Sequence, residues 1–353
     1  MRAGIVTFHE ADNFGAVLQA YALQQTLNKL DASGTFVSFT DKVKKQETYF
    51  PDKGPAALFA QRIVSEGKKR EELFRQFREQ YMNCLADYDL NDKKSLNNDF
   101  DCFIAGSDQI WNFRIPGVDG RYFLTFSEDK KKYSYAASFG TEEFPEKGRA
   151  WCSDQLNSFR KISVRESSGQ KIVQDLTGRH AEVSLDPTLL LSREEWMKIA
   201  TKPGNNPYYL LFMVKYDADL HKRAKAKAES DGLELRIITA AFMPQCGFPA
   251  WSQVSVNDWV GLMAHSSGTF TNSFHGTAFS LIFERPVAVA GNAGELAKRN
   301  GRIEDLLKKA GLSEAMDGDL AEPGAGIISE NLKNDREASV NYLKDVLADA
   351  ADT

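Results

Sequence analysis

The sequence predicts an α/β protein built from two Rossmann-like domains with a cleft between them. Three observations predict it. Short β-rich runs alternate with helical segments along most of the chain, the signature of parallel sheets flanked by helices. Several of those runs release polar, glycine-containing loops at their carboxyl ends, where open parallel sheets bind ligands. The alternation is interrupted once, at Lys202-Pro203-Gly204-Asn205-Asn206-Pro207, a linker by composition. A chain of 353 residues exceeds what one hydrophobic core usually supports, so two domains are expected. The expected divisions are residues 1–201, residues 207–330 and a C-terminal amphipathic helix over 331–353.

The elements follow in order. Gly4-Ile5-Val6-Thr7-Phe8 reads as a strand, Asp12-Asn13-Phe14-Gly15 as a turn, and Ala16 to Leu27 as a helix with apolar residues at helical spacing. Thr35 to Phe39 is a second strand, and a charged helix runs from Leu58 to about Tyr81. Phe100 to Gly106 reads as a buried strand that ends in the loop Gly106-Ser107-Asp108-Gln109. Lys132 to Ala137 ends at Ser138-Phe139-Gly140, Lys161 to Arg165 at Glu166-Ser167-Ser168-Gly169, and Glu182 to Leu185 at Asp186-Pro187. Beyond the linker the pattern repeats, with strands at 208–214, 235–239, 268–272 and 286–290 and helices between them, one starting at about Gly276. The last helix carries Val340, Leu343, Val346 and Leu347 on one face, fit to pack against either domain.

Composition narrows the function. Apolar residues make up 42% and charged residues 26%, ordinary for packed domains, which excludes wholesale disorder and fibrous repeats. The net charge of −5 and the lack of a Lys/Arg stripe argue against a nucleic-acid partner. Cys84, Cys102, Cys152 and Cys246 form no CxxC pair, no zinc-type spacing of His and Cys occurs, and His9-Glu10 lacks the second His of HExxH. No metal and no resident cofactor are expected. The chain runs straight into its first strand with no secretory signal, and no apolar run approaches the ~18–20 residues that span a bilayer. A cytoplasmic protein, with membrane association at most peripheral, is therefore expected.

The segment Thr271-Asn272-Ser273-Phe274-His275-Gly276-Thr277 sets polar groups, an imidazole and a glycine between an apolar strand and an apolar helix. A helix amino terminus presents free N–H groups to anions, and Gly276 lets a ligand approach closely. That terminus disfavours imidazolium while an incoming phosphate or carboxylate favours it, so His275 is a candidate general acid that gains its proton as substrate binds. Arg165 either faces the cleft and holds an anion or pairs with Glu166 or a neighbouring loop. Lys298, Arg299 and Arg302 lie near Gly291-Asn292-Ala293-Gly294 and are candidates for further positive charge in the same cleft. Asn13 and Gly15 occupy a strand-to-helix loop of the kind that binds ligands, without a GxGxxG or Walker pattern. Ser107, Asp108 and Gln109, with Trp111 and Asn112, form a polar and aromatic group suited to sugar recognition or, equally, to the core.

Taken in order, Gly4-Ile5-Val6-Thr7-Phe8-His9, Asn13-Phe14-Gly15-Ala16-Val17-Leu18-Gln19-Ala20-Tyr21, Ala105-Gly106-Ser107-Asp108-Gln109-Ile110-Trp111-Asn112, Tyr135-Ala136-Ala137-Ser138-Phe139-Gly140, Ser163-Val164-Arg165-Glu166, Asp186-Pro187-Thr188 and Asn272-Ser273-Phe274-His275-Gly276 resemble the polysaccharide pyruvyl transferase family. Their ordered succession, over about residues 1–310, makes the resemblance specific. It implies an architecture like that of the GT-B glycosyltransferases. It also implies transfer of pyruvate from phosphoenolpyruvate to a sugar or a lipid-linked oligosaccharide, giving a cyclic ketal. In that scheme Arg165 matches a donor-binding arginine and His275 a catalytic histidine, while Asn13, Gly15, Ser107, Asp108, Gln109, Asn272, Ser273 and Gly276 fall in the substrate-binding motifs. Two positions depart from the pattern: Ser273 stands where many members carry an arginine, and Ala16 where many carry an acid. The cation missing at Ser273 is expected from Lys298, Arg299 or Arg302, unless the donor differs. A nucleotide-sugar glycosyltransferase and a non-catalytic glycan-binding relative are the alternative readings.

Overall fold

In a computed structural model of the chain, residues 1–39, 55–88, 93–291, 301–324, 326 and 330–352 are described. β1 (Arg2–Val6) is buried from Ala3 onward, as a strand covered on both faces must be. A loop leads from it to α1 (Phe14–Lys29), whose first turn is capped by Asn13 Oδ1 accepting from Ala16 N at 3.2 Å. α1 is buried on almost every side and lies in the main core. Next come β2 (Ser33–Phe39), α2 (Pro55–Tyr81), β3 (Cys84–Tyr88), α3 (Lys93–Asp99), β4 (Cys102–Ala105) and β5 (Lys132–Ser134). The five strands form one parallel sheet in the order β3-β2-β1-β4-β5. β5 is shorter than expected because Ala136 takes a left-handed φ of 49° and breaks the extended run.

α4 (Arg149–Asn157), β6 (Ser163–Val164), α5 (Ser167–Thr177) and β7 (Glu182–Val183) follow, then a 3₁₀ turn at Pro187–Leu190 and α6 (Arg193–Met197). β6 and β7 pair in parallel, and bridges from Tyr133 to Lys161 and from Ala137 to Val164 attach them to the edge at β5. The segment rich in Pro, Gly and Asn does not hang free where it leaves this part of the chain. Thr201 N donates to Asn257 O at 3.1 Å, and Asn257 Nδ2 to Ile199 O at 2.6 Å. A Cβ at Gly261 would lie 1.7 Å from Thr201 O, so only glycine lets the segment pass this close.

The second half comprises β8 (Tyr208–Met213), α7 (Ala218–Asp231), β9 (Glu234–Thr239), α8 (Pro249–Ser252), α9 (Val256–His265), β10 (Gly268–Thr271), α10 (Phe274–Ile282), β11 (Val287–Val289) and α11 (Gly301–Ala310). Its four strands form a second parallel sheet, in the order β11-β10-β8-β9. The fold is thus α/β with two Rossmann-like halves. Each sheet has a point where successive crossovers change direction, between β1 and β4 in the first and between β8 and β10 in the second. Loops diverge at such points and leave a crevice at the carboxyl ends of the strands.

α2 ties the halves together. Arg70, 3% exposed, donates through Nη1 to Trp251 O in α8 (2.6 Å) and through Nε and Nη2 to Asp12 O (3.2 and 2.8 Å), just before the cap of α1. Burial draws its guanidinium down to about 10. Ser252 Oγ donates to Glu66 Oε2 at 2.5 Å, a second link between α2 and α8.

α12 (Lys333–Ala351) packs on the first half. Tyr342 Oη donates to Ser134 O (2.9 Å), Leu185 N to Ser339 Oγ (3.0 Å), and Asp349 accepts from Tyr133 Oη (2.6 Å) and bidentately from Arg160 (2.5 and 2.7 Å). The Arg160 guanidinium holds the Asp349 carboxyl at about 2, below its ordinary 3.8. Between these values the unfolded chain binds more protons than the folded one, so this anchor stabilises fully above about pH 4 and is lost as pH falls toward 2. Asp349→Asn is expected to cost about 1 kcal/mol at neutral pH, about 2 °C in Tm. Thermal melts of both proteins should converge as pH falls toward 2; a difference that persists there would reject the linkage. Among the described residues no helix is long and apolar enough to cross a membrane.

Candidate active site

The loops from both switch points meet in one cleft of about 560 Å³. Phe8, Glu10, Ala11 and Asn13 come from the segment after β1, and Asp108 and Gln109 from the segment after β4. Val214 follows β8, and Asn272, Ser273, Phe274 and His275 follow β10. The amino ends of α1 and α10 both open onto it, through Gly15 and Ala16 on one side and His275 on the other. Two helix amino ends facing one cavity supply positive potential for an anion.

α10 starts at Phe274, two residues earlier than the sequence suggests, which puts His275 inside its first turn. Ser273 makes that start possible: its Oγ accepts from Gly276 N at 3.3 Å. Gly276 presses the turn onto β10, and a Cβ there would lie 2.3 Å from Thr271 Oγ1. Asn272 is committed to the fold as well, its Oδ1 accepting from Val214 N (2.9 Å) and its Nδ2 donating to Lys215 O (2.7 Å).

His275 crosses to the first half. Its Nε2 lies 3.5 Å from Asp186 Oδ2, and its ring lies so close to Gly15 that a Cβ there would fall 2.1 Å from Nδ1. Asp186 is 1% exposed and caps the Pro187–Leu190 turn, its Oδ1 accepting from Thr188 N (3.0 Å) and Thr188 Oγ1 (2.7 Å). Its Oδ2 accepts from Arg165 Nη1 (2.7 Å) and Ser107 Oγ (3.3 Å). Burial alone would push the Asp186 carboxyl up; the charges of His275 and Arg165 override it and hold it well below the carboxylate range.

Arg165 does not face the cleft, which corrects one of the two sequence expectations for it. Its side chain is 2% exposed, lodged among Asp186, Asp108 (3.6 Å) and Glu166 (3.9 Å), with the guanidinium 5.0 Å from the centre of the Phe274 ring. Burial works against its charge, and the three carboxylates keep the guanidinium even more firmly protonated than usual. Ser107 is likewise buried rather than open to a ligand, and Gly276 lies behind the wall. Trp111 resolves to core: it is 1% exposed, packs on Phe123, Phe139 and Phe159, and donates through Nε1 to Tyr122 O (3.0 Å).

Asn13, Gly15, Asp108, Gln109, Asn272, Ser273, His275 and Arg302 are brought together on the cleft wall. Arg302 is the cation among the sequence candidates that lines it, 5.9 Å from the Phe274 ring centre; Lys298 and Arg299 fall outside the described residues. The sequence does not mark Asp186 as a site residue, because nothing in the pattern around Asp186-Pro187-Thr188 pairs it with a distant histidine. Nor does it mark Arg121, held by Asp119 at 2.6 Å, or the edge-on pair Phe8 and Tyr122, 5.0 Å apart, all on the wall.

The polysaccharide pyruvyl transferase family model matches residues 13–294. The chain belongs to this family. It is therefore a transferase by family, and the matched span contains α1, Asp108, Arg165, Asp186 and His275. Of the two positions that depart from the expected pattern, Ala16 lies on the cleft wall and Ser273 caps α10. No curated protein matches the chain. Solved structures similar to it include UDP-GlcNAc 2-epimerase from Neisseria meningitidis, with 12% identity, 99% of each chain covered and a TM-score of 0.49. UDP-GlcNAc 2-epimerase from Methanocaldococcus jannaschii shares 11% identity over 94% of this chain and 92% of its own, with a TM-score of 0.45. The E. coli ADP-heptose LPS heptosyltransferase II shares 10% over 98% and 100%, with a TM-score of 0.39.

Proposed function

We propose that this protein transfers pyruvate from phosphoenolpyruvate to two hydroxyls of one sugar in a glycan or glycan precursor, forming a cyclic ketal and releasing inorganic phosphate. The observation that carries the reading is His275, in the first turn of α10 at the cleft, with a buried carboxylate behind Nε2 and Nδ1 toward the amino end of α1. The donor's phosphate and carboxylate suit the facing helix termini and Arg302. His275 gives a proton from Nδ1 to the methylene carbon of the enol, which becomes a methyl group and leaves the adjacent carbon cationic. A sugar hydroxyl oxygen adds to that carbon and loses its proton, which restores the imidazolium. The second hydroxyl then displaces phosphate, which leaves with the carbon–oxygen electron pair and takes up that hydroxyl's proton. No covalent intermediate with the enzyme is needed; fixed dipoles and charges lower the barrier.

Incubation with phosphoenolpyruvate and a panel of galactose- and mannose-containing acceptors, lipid-linked ones included, is expected to release phosphate only when an acceptor is present. Stoichiometric ketal should appear by mass spectrometry. Silence across the panel, combined with thermal stabilisation by a nucleotide sugar and none by phosphoenolpyruvate, would replace this reading with glycosyl transfer.

A further inference from the structure

We infer that Asp186 is the positioning residue of His275, and that Arg165 acts on the reaction through Asp186 rather than by touching the donor. The inference rests on the pyruvyl-transfer reading for its kinetic consequences but on geometry alone for its structural ones. Asp186 Oδ1 is clamped by the backbone and hydroxyl of Thr188, and Oδ2 by Arg165 and Ser107. With four donors from three loops, this carboxylate has one orientation, and His275 Nε2 lies 3.5 Å from it. The hydrogen bond made at one ring nitrogen decides what the other can do. Nε2 faces Asp186 and Nδ1 faces Gly15 at the cleft, so a hydrogen bond formed at Nε2 would leave Nδ1 for the donor.

The network is incompletely satisfied, and that is informative. Among the described residues, His275 Nε2, Arg165 Nε and Nη2, and Glu166 Oε2 are buried and have no hydrogen-bond partner. An apolar cluster of the same size would usually be at least as stable as such a partly paired one, so stability does not explain its presence. Asp186, Asp108 and Glu166 surround Arg165, while Phe274 stacks on it and meets the His275 ring edge-on at 5.2 Å. Arg165 is therefore seated to keep Asp186 charged and fixed beneath the histidine, with a side chain 2% exposed and its Nη1 already committed.

The test uses the full chain. Asp186→Asn is expected to lower kcat by about 10²-fold or more while the KM for phosphoenolpyruvate changes little, and Asp186→Glu should recover part of the loss. Arg165→Met should show the same split, with kcat falling and donor KM nearly unchanged. A rise in donor KM as the main effect would mean that Arg165 binds the donor, and would overturn the inference. Independently of turnover, ¹⁵N NMR of the histidine rings, assigned by the signal missing in His275→Ala, should show neutral His275 protonated at Nε2 in the parent and a mixture of tautomers in Asp186→Asn. Should that variant fail to fold, Thr188→Val, which removes one donor to Oδ1, is expected to move the tautomer and kcat in the same direction to a smaller degree. An unchanged tautomer in a folded variant rejects the positioning role. A changed tautomer in a protein that transfers no pyruvate keeps the positioning role and rejects the reaction.

Discussion

His275→Ala is expected to lower acceptor-dependent phosphate release by about 10²-fold or more, with the fold intact. The imidazole is placed to deliver a proton to the donor carbon under the proposed reaction, since it stands in the first turn of α10 on the cleft wall and is backed by Asp186. Its removal does not leave a naked buried carboxylate, because Arg165 still pairs with Asp186 at 2.7 Å and Thr188 and Ser107 still donate to it. Circular dichroism and the melting curve should therefore stay close to those of the parent while kcat falls. Full activity in a well-folded His275→Ala protein would remove general-acid catalysis by this residue.

Gly15→Ala should cost nearly as much, by a different route. The added Cβ would fall 2.1 Å from His275 Nδ1, 2.6 Å from Cγ and 2.7 Å from Cε1, so the ring has to move. The obstacle is a side chain on the cleft wall rather than backbone, so the backbone can stay in place and the melting temperature should change less than the rate. The imidazole, however, leaves both Asp186 and the donor, and displacement of a catalytic group by about 1 Å can cost about 10²-fold in rate. The expected result is a loss of kcat in a protein as stable as the parent. If the rate is unchanged, His275 does not need the position it occupies against α1. Together the two substitutions separate loss of the imidazole from loss of its placement.

Much of the architecture is legible in the chain itself. The alternation of β-rich runs with helical spacing specifies parallel sheets with helices on their faces, because parallel strands need crossovers and crossovers bury both sheet faces. The run Asn272-Ser273-Phe274-His275-Gly276 is legible as a strand-to-helix junction, and its histidine does stand at the head of α10. Strands β6 and β7 fall within the runs that the sequence marks at 161–165 and 182–185, but they are shorter than those runs, and β5 ends early. β6 and β7 are two residues each, too short for periodicity, and β5 is stopped by a backbone angle at Ala136 that alanine rarely adopts.

Residue type and local pattern thus determined by themselves the fold class, the order of the elements, and the placing of His275 at a helix terminus, since each depends on interactions within a few residues. Tertiary structure alone decided which residues share the site. Strand orders β3-β2-β1-β4-β5 and β11-β10-β8-β9 set the two switch points, and their apposition carries His275 from the second half to Gly15 and Asp186 in the first. The same packing settled the two open readings of Arg165. A guanidinium at a strand end can turn toward solvent or inward, and here Asp186, Asp108 and Glu166 compensate its desolvation and hold it beneath the histidine.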